Sequence, residues 1–247
     1  PSSYIRYYAQ DAPVWWIGDG YSANRMVALL GFIHYSLLDR YLVQFNIRRE
    51  GSSRFGYDSR WGTFPSVSVA YRISSEKFMK KIEFINDLKL RYSYGVNGNQ
   101  PSSSYGYFNL YSTGNEYIDL PIVVPTNLQL DHFRWEENSQ INYGLDLFAW
   151  KNLLELHFDI YSQKSKDLIW ENLQLPSTSG FPMITRNWGS MDNKGWELML
   201  ATDALNRDNL TLNINFNIAH NENRITSIPE NFDFEYGSEA RNGEYAR

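Results

Sequence analysis

The stretch Leu210-Thr211-Leu212-Asn213-Ile214-Asn215-Phe216-Asn217-Ile218-Ala219 alternates apolar and polar residues without a break. Successive side chains of a β-strand point to opposite faces, so the segment puts Leu210, Leu212, Ile214, Phe216 and Ile218 on one side and its asparagines on the other. The same period-two pattern recurs in Tyr41-Val43-Phe45-Ile47, Val67-Val69-Tyr71-Ile73, Leu88-Leu90-Tyr92-Tyr94, Ile141-Tyr143-Leu145-Leu147 and Leu154-Leu156-Phe158-Ile160. Shorter runs at Ile33-Tyr35-Leu37 and Trp196-Leu198-Leu200 complete eight expected strands. Among the intervening residues only Leu42, Ala70, Tyr161, Met199, Ala201 and Ala219 are apolar. A one-residue slip would invert the faces of a strand, so the pattern specifies register. It predicts an all-β, antiparallel protein with one apolar and one polar face.

Composition narrows the class. The 247 residues carry 23 Lys+Arg against 28 Asp+Glu, a net charge of −5, so no basic surplus favours nucleic acid. There is no cysteine, which removes disulfides, thiolate metal sites and cysteine nucleophiles together. Aromatic residues make up 16% of the chain, and there are 23 asparagines. Mean hydropathy is −0.49, and no apolar run approaches the ~20 residues of a membrane helix. A membrane barrel is compatible with such a score, because its strands alternate. Pro1 opens the chain without a basic or long apolar leader, so the sequence reads as a processed chain or an internal piece of a longer one.

The expected connections alternate in length. Leu38–Arg40, 148–152 and 202–208 are short, whereas 51–63, 96–134 and 163–191 are long and rich in Gly, Ser, Asn and aromatics. Outer-membrane barrels have this asymmetry, with short periplasmic turns and long outer loops. The stretch 74–86 breaks it, since a short turn is due there and 13 residues are present. Periodicity alone leaves two architectures open: a barrel wall facing lipid, or a soluble β-sandwich, such as a carbohydrate-binding module, burying its apolar face under a second sheet.

Ordered motifs go further. Arg48-Arg49-Glu50-Gly51-Ser52-Ser53-Arg54-Phe55-Gly56 is followed by Arg60-Trp61-Gly62-Thr63-Phe64-Pro65-Ser66-Val67-Ser68, then Ser75-Glu76-Lys77-Phe78 and Ile85-Asn86-Asp87-Leu88-Lys89-Leu90-Arg91-Tyr92-Ser93-Tyr94-Gly95-Val96-Asn97-Gly98-Asn99-Gln100. Trp135-Glu136, Gly144-Leu145-Asp146-Leu147, Lys164 through Leu168, Ser179-Gly180-Phe181 and Asn193-Lys194-Gly195-Trp196-Glu197 come after them. In this order they resemble the carboxy-terminal part of the SusC/RagA family, from about Arg25 to about Phe216. Residues 128–133 depart from that family's usual lead-in to Arg134-Trp135-Glu136.

The resemblance implies a TonB-dependent nutrient importer of the Bacteroidetes outer membrane, with a barrel of about 22 strands around an amino-terminal plug. Eight strands in 247 residues would scale to roughly 680 residues for such a wall, so residues 1–247 are expected to form part of a single barrel domain, an antiparallel transmembrane wall segment. The plug, the TonB-contacting segment and the final strand are not visible, and the chain stops at Glu244-Tyr245-Ala246-Arg247. The implied partners are a SusD-like surface lipoprotein, the TonB complex through other parts of the polypeptide, outer-membrane lipid, and a glycan or peptide substrate.

Each motif also has a reading of its own. Gly51 through Gly56 suggests a flexible loop with two turn glycines, and Gly95 through Asn99 a turn-rich strand exit without the helix a phosphate cradle needs. Trp135 and Trp196, near strand ends, suit an interfacial aromatic girdle. Among His34, His132, His157 and His220 no pair has the spacing of a zinc protease. Glu155, His157 and Asp159 share a strand face and read as a hydrated lumen patch rather than a metal site. No GxSxG elbow occurs, and Gly18-Asp19-Gly20 lacks a third glycine, so neither an enzyme nor a cofactor is expected. The functional candidates are loop aromatics. Tyr105, Tyr107, Tyr111 and Tyr117 lie in one long loop and Trp170, Phe181 and Trp188 in another, with Tyr105, Tyr107, Trp170 and Trp188 the expected ligand contacts. Their rings offer a flat apolar surface with a polar edge, suited to a sugar or a peptide, and equally able to pack within their own loops.

Overall fold

The structure, a computed structural model, describes residues 22–227 apart from 119, 131, 176, 182, 208 and 209. The Gly18-Asp19-Gly20 run and both chain ends lie outside the described residues. Eight long strands form one antiparallel sheet in chain order: β1 (Met26–Leu37), β2 (Tyr41–Ser52), β3 (Trp61–Arg72), β4 (Ile85–Asn99), β7 (Glu136–Ala149), β8 (Leu154–Lys166), β11 (Ser190–Arg207) and β12 (Leu210–Ser227). All eight contain the alternating runs identified above, except that β3 ends at Arg72 and Ile73 of its run opens a 3-10 turn.

The sequence reading differs from the structure in the long connections. The 96–134 stretch folds a hairpin of its own, β5 (Tyr111–Tyr117) and β6 (Leu120–Pro125), and 163–191 another, β9 (Ile169–Gln174) and β10 (Met183–Asn187). β6 reads Leu-Pro-Ile-Val-Val-Pro, a run with no alternation to detect. The expected turn at 202–208 is strand β11 as far as Arg207, with a bulge between Asp203 and Leu205. Two turns achieve tight reversals without glycine: Leu38 and Asp39 both take positive φ, as do Trp150, Lys151 and Asn152 in succession. Left-handed conformations cost non-glycine residues roughly 1–2 kcal/mol each, so the strands they join hold these turns in place.

Opposed residues of an antiparallel pair share a face. The register therefore draws a row across the sheet: Tyr35, Val43, Val69, Tyr92, Tyr143, Ile160, Trp196 and His220. On this face, the outer one, the apolar residues stay uncovered; Tyr143 is 58% and Phe216 51% exposed. No second sheet packs on them among the described residues, and the buried cluster lies among the loops at one end instead.

The border of the apolar band slopes. Toward the long loops the last apolar residue on this face is Ile47 in β2, four residues beyond the row. It is Ile141 in β7, Ile160 in β8, Trp196 in β11 and Ile218 in β12, the last of these two short of the row. Polar residues come next at Arg49, Ser139, Ser162, Lys194 and His220. The border thus moves six residues over the six steps from β2 to β12, an average of one per strand, holding level from Ile47 in β2 to Val96 in β4 and again from β8 to β11. Strands tilted about 35–45° and spaced about 4.8 Å apart would shift by roughly 1.0–1.5 residues per strand if the border is one plane. A horizontal membrane boundary drawn across tilted barrel strands produces this slope. A border that followed the hydrogen-bonded rows would have none.

Candidate functional site

The inner face carries the polar half of the alternation. Lys89, Asp146 and His157 lie opposite one another on β4, β7 and β8. The carboxylate of Asp146 accepts from Lys89 Nζ at 2.8 Å, from Arg91 Nε at 2.9 Å and from His157 Nδ1 at 2.8 Å. Arg91 also reaches Asp159 on β8 at 3.0 Å, across the intervening β7, and Glu155 contacts His157 Nε2 at 2.7 Å. That reach depends on Gly144, the residue between Arg91 and Asp159 in the row. A Cβ there would lie 2.6 Å from the Arg91 guanidinium and 2.7 Å from Asp159 Oδ1. Gly195 plays the same part under the Tyr161 ring. The charges neutralise one another in a hydrogen-bonded patch, and no group of His, Cys, Asp or Glu able to hold a metal ion occurs among the described residues. Chemically this is a polar, ion-paired wall.

The long loops form a second layer at one end of the sheet. Phe55, Phe64, Phe133 and Trp135 are buried there, with Phe55 fully enclosed. The Phe55 ring lies 4.7 Å from Trp135 and 5.6 Å from Phe133, and Phe64 meets Trp135 edge-on at 5.5 Å. Polar bonds tie the loops around this cluster. Ser52 Oγ donates to Gln100 at 2.7 Å, Arg54 to the Pro101 carbonyl at 2.6 Å, and the Ser102 amide to Glu171 at 2.7 Å. Arg134 pairs with Asp167 at 2.5 Å, while its amide donates to Asn187 at 2.8 Å.

Two motif readings are corrected here. Residues 51–56 are an anchored loop rather than a flexible one, because Phe55 is its buried pin; neither Gly51 nor Gly56 has a positive φ. The Trp61 ring rests on Gly51, where a Cβ would be 3.0 Å from three ring atoms and the ring would have to shift. Trp135 belongs to the buried cluster, at 6% exposure, rather than to an interfacial girdle, since its indole packs between Phe55 and Phe64 and donates to the Arg60 carbonyl. Trp196 does sit on the apolar border of the outer face.

The aromatic candidates fall in loops that the structure joins. Tyr105 accepts a hydrogen bond from the Ala23 amide at 2.9 Å, and Tyr107 packs on Phe108 at 4.1 Å and against the buried cluster. Trp170 lies opposite Arg186 in the β9–β10 hairpin, and the Arg186 guanidinium stands 5.5 Å over the Trp188 ring. The Ser102–Glu171 bonds link the Tyr105–Tyr107 loop to the Trp170 strand. All four rings are half-buried, while Tyr111 and Tyr117 on β5 are exposed. Sequence reasoning missed Ser102, Glu171 and the Phe55 cluster, since contacts between distant loops leave no period.

An antiparallel sheet with an uncovered, obliquely bordered apolar face, an ion-paired inner face and long loops gathered at one end is a segment of membrane β-barrel wall. Residues 4–244 match the family model described as TonB dependent receptor-like, beta-barrel, and the chain belongs to that family. It is 36% identical over 220 residues to TonB-dependent receptor P39 of Formosa agariphila, covering 89% of this chain and 21% of that protein. It is 33% identical over 225 residues to TonB-dependent receptor SusC of Bacteroides thetaiotaomicron, covering 88% and 22%. Among solved structures it superposes on the RagAB peptide transporter with a TM-score of 0.77 at 27% identity, covering 83% of this chain and 23% of that one. The chain thus spans about a fifth of the length of the curated relatives it matches.

Proposed function

We propose that these residues form wall and outer loops of an outer-membrane importer that takes up an oligomeric nutrient, peptide or glycan, with energy delivered through TonB to a plug elsewhere in the polypeptide. The observation that carries this reading is the sloping border of the outer face together with the long loops collected at the end where polar residues begin. Its support from relatives is the SusC and RagAB similarity. The wall is built for passage, not for chemistry: its charged groups are spent on one another, and its loops offer half-buried rings at the mouth. A SusD-like lipoprotein is the proposed partner on the loop layer. The full-length polypeptide is expected to fractionate with the outer membrane, and uptake of its nutrient to cease when TonB is deleted. Recovery as a folded monomer in a detergent-free soluble fraction would overturn the reading.

Within it, Trp170 and Trp188 are proposed to line the entrance with Tyr105 and Tyr107. Replacing both tryptophans with Ala is expected to weaken binding of the imported nutrient roughly 30-fold, on the basis of about 1 kcal/mol per stacked ring. The check is a dissociation constant by calorimetry on protein whose barrel remains heat-modifiable on gels. An unchanged constant would remove the pair from the site.

A further inference from the structure

The connection between β3 and β4 is longer than a wall turn requires, and its surroundings assign it a task. It leaves β3 at Arg72, runs through two short 3-10 turns (Ile73–Ser75 and Met79–Lys81) and rejoins β4 at Ile85. At this end the apolar residues of the outer face continue to the last turns: Leu37, Tyr41, Tyr71, Leu147 and Leu154. The connections therefore emerge at the membrane surface itself, on the short-turn, periplasmic side. The connection starts on the inner side, where Ser74 donates to Asp87, and from Glu76 onward it is tied to the lipid side of the sheet. The hydroxyl of Tyr71, an outer-face residue, donates to Glu76 at 3.2 Å, and Arg40 grips the same carboxylate at 3.2 Å.

Beyond Glu76 the chain is amphipathic. Met79 is buried, while Phe78 is 61% and Phe84 51% exposed. Phe84 stacks on Trp150 of the neighbouring turn at 5.8 Å, and Leu38 and Leu153 add two more exposed apolar side chains from adjacent turns. Lys77, Lys80 and Lys81 are exposed and make no ion pair among the described residues, with Glu83 the only acid in the segment besides the engaged Glu76. Exposed rings beside unpaired lysines at a membrane boundary match the chemistry of an anionic phospholipid: acyl chains take the rings, and the headgroup phosphate takes the ammonium groups.

We propose that residues 76–84 are a membrane-surface foot, with Phe78 and Phe84 inserted at the headgroup level of the periplasmic leaflet and Lys77, Lys80 and Lys81 holding anionic phospholipid. The proposal rests on the barrel reading above. Its occupant is lipid rather than another protein because the segment is pinned to the outer face, where the barrel meets bilayer.

The test uses the full-length protein with single environment-sensitive fluorophores at Phe78→Cys and, separately, at Ile214→Cys; residues 1–247 have no cysteine to compete, and any cysteine elsewhere in the polypeptide is first replaced by Ser. Each is reconstituted in vesicles of phosphatidylcholine alone or of equal parts phosphatidylcholine and phosphatidylglycerol. Lipids bearing a nitroxide near the headgroup should quench the probe at 78, and lipids bearing it near the chain end the probe at 214. The probe at 78 should be blue-shifted further by phosphatidylglycerol, and Lys77→Gln/Lys80→Gln/Lys81→Gln should abolish that increment without removing quenching at 214. A probe at 78 that emits as in water and is quenched by aqueous iodide, with 214 still quenched by deep nitroxide, overturns the foot and leaves the barrel standing. Loss of quenching at 214 overturns the barrel reading beneath it. Equal behaviour in both lipids overturns the anionic specificity.

Discussion

Ile214→Arg should cost the folded protein about 2–4 kcal/mol, the penalty for a cation at the bilayer midplane. Ile214 lies on the outer face of β12, 47% exposed in the sheet and well short of the polar border at His220. Its neighbour Asn215 points to the opposite, polar face, so Asn215→Arg should be mild. Ile218→Arg is the informative companion. It is two residues from His220, where a long arginine stem can lift its guanidinium to the headgroups, and the cost should fall to about 0–1 kcal/mol. A soluble sheet would also punish Ile214→Arg, but there the penalty would track burial under a second layer. Both isoleucines are exposed to similar degrees, so burial predicts equal costs and depth predicts unequal ones. The measurement is the folding free energy of the full-length protein in bilayers for the three variants. Equal destabilisation by Ile214→Arg and Ile218→Arg would show that the strand does not cross a membrane at the assigned depth.

The contrast between those residues was legible in the sequence because a strand's period is local. Leu212 through Ile218 announce their faces without reference to any other segment, and the same holds for each strand of the wall. The slope of the apolar border was not legible, since it exists only once the register aligns Ile47, Ile141, Ile160 and Ile218 across the sheet. The hairpins in the long connections escaped for another reason. Leu120–Pro125 is too uniformly apolar, and Met183–Asn187 too short, to carry a period. Glycines were misread most. Gly51 and Gly98 read as turn formers and Gly144 as one more position on the polar face of its strand, yet none has a positive φ. Each is small because a neighbouring strand or loop lays a ring or guanidinium on its Cα, a fact about partners distant in sequence. The loop aromatics were legible as a group, but whether a given ring packs or faces solvent depends on contacts such as Ser102 with Glu171.

Phe55→Ala should loosen the loop layer by about 3–5 kcal/mol, the usual cost of emptying a buried phenylalanine site. Phe55 is fully enclosed and its ring touches both Phe133 and Trp135, so its loss opens a cavity between loops separated by some 80 residues of sequence. The wall should not feel it, because the strands are held by their own ladders. Gly98→Ala attacks the same cluster from the side. The Phe64 ring lies over both Gly62 and Gly98, and a Cβ at position 98 would overlap it. Overpacking of this kind costs about 1–3 kcal/mol. The two routes to damage predict a coupling. In Gly98→Ala/Phe64→Ala the new methyl occupies space the ring has left, so the double variant should be less destabilised than the two single variants together, a departure from additivity expected only of residues in contact. The readout is protease cleavage within 53–60 and 100–134 on intact cells, with barrel integrity followed by heat-modifiable mobility. Faster cleavage in Phe55→Ala and Gly98→Ala at unchanged mobility is the expected result. Loops as protected as in the parent would mean that the cluster does not hold the layer together. Additive losses would mean that Phe64 does not rest on Gly98.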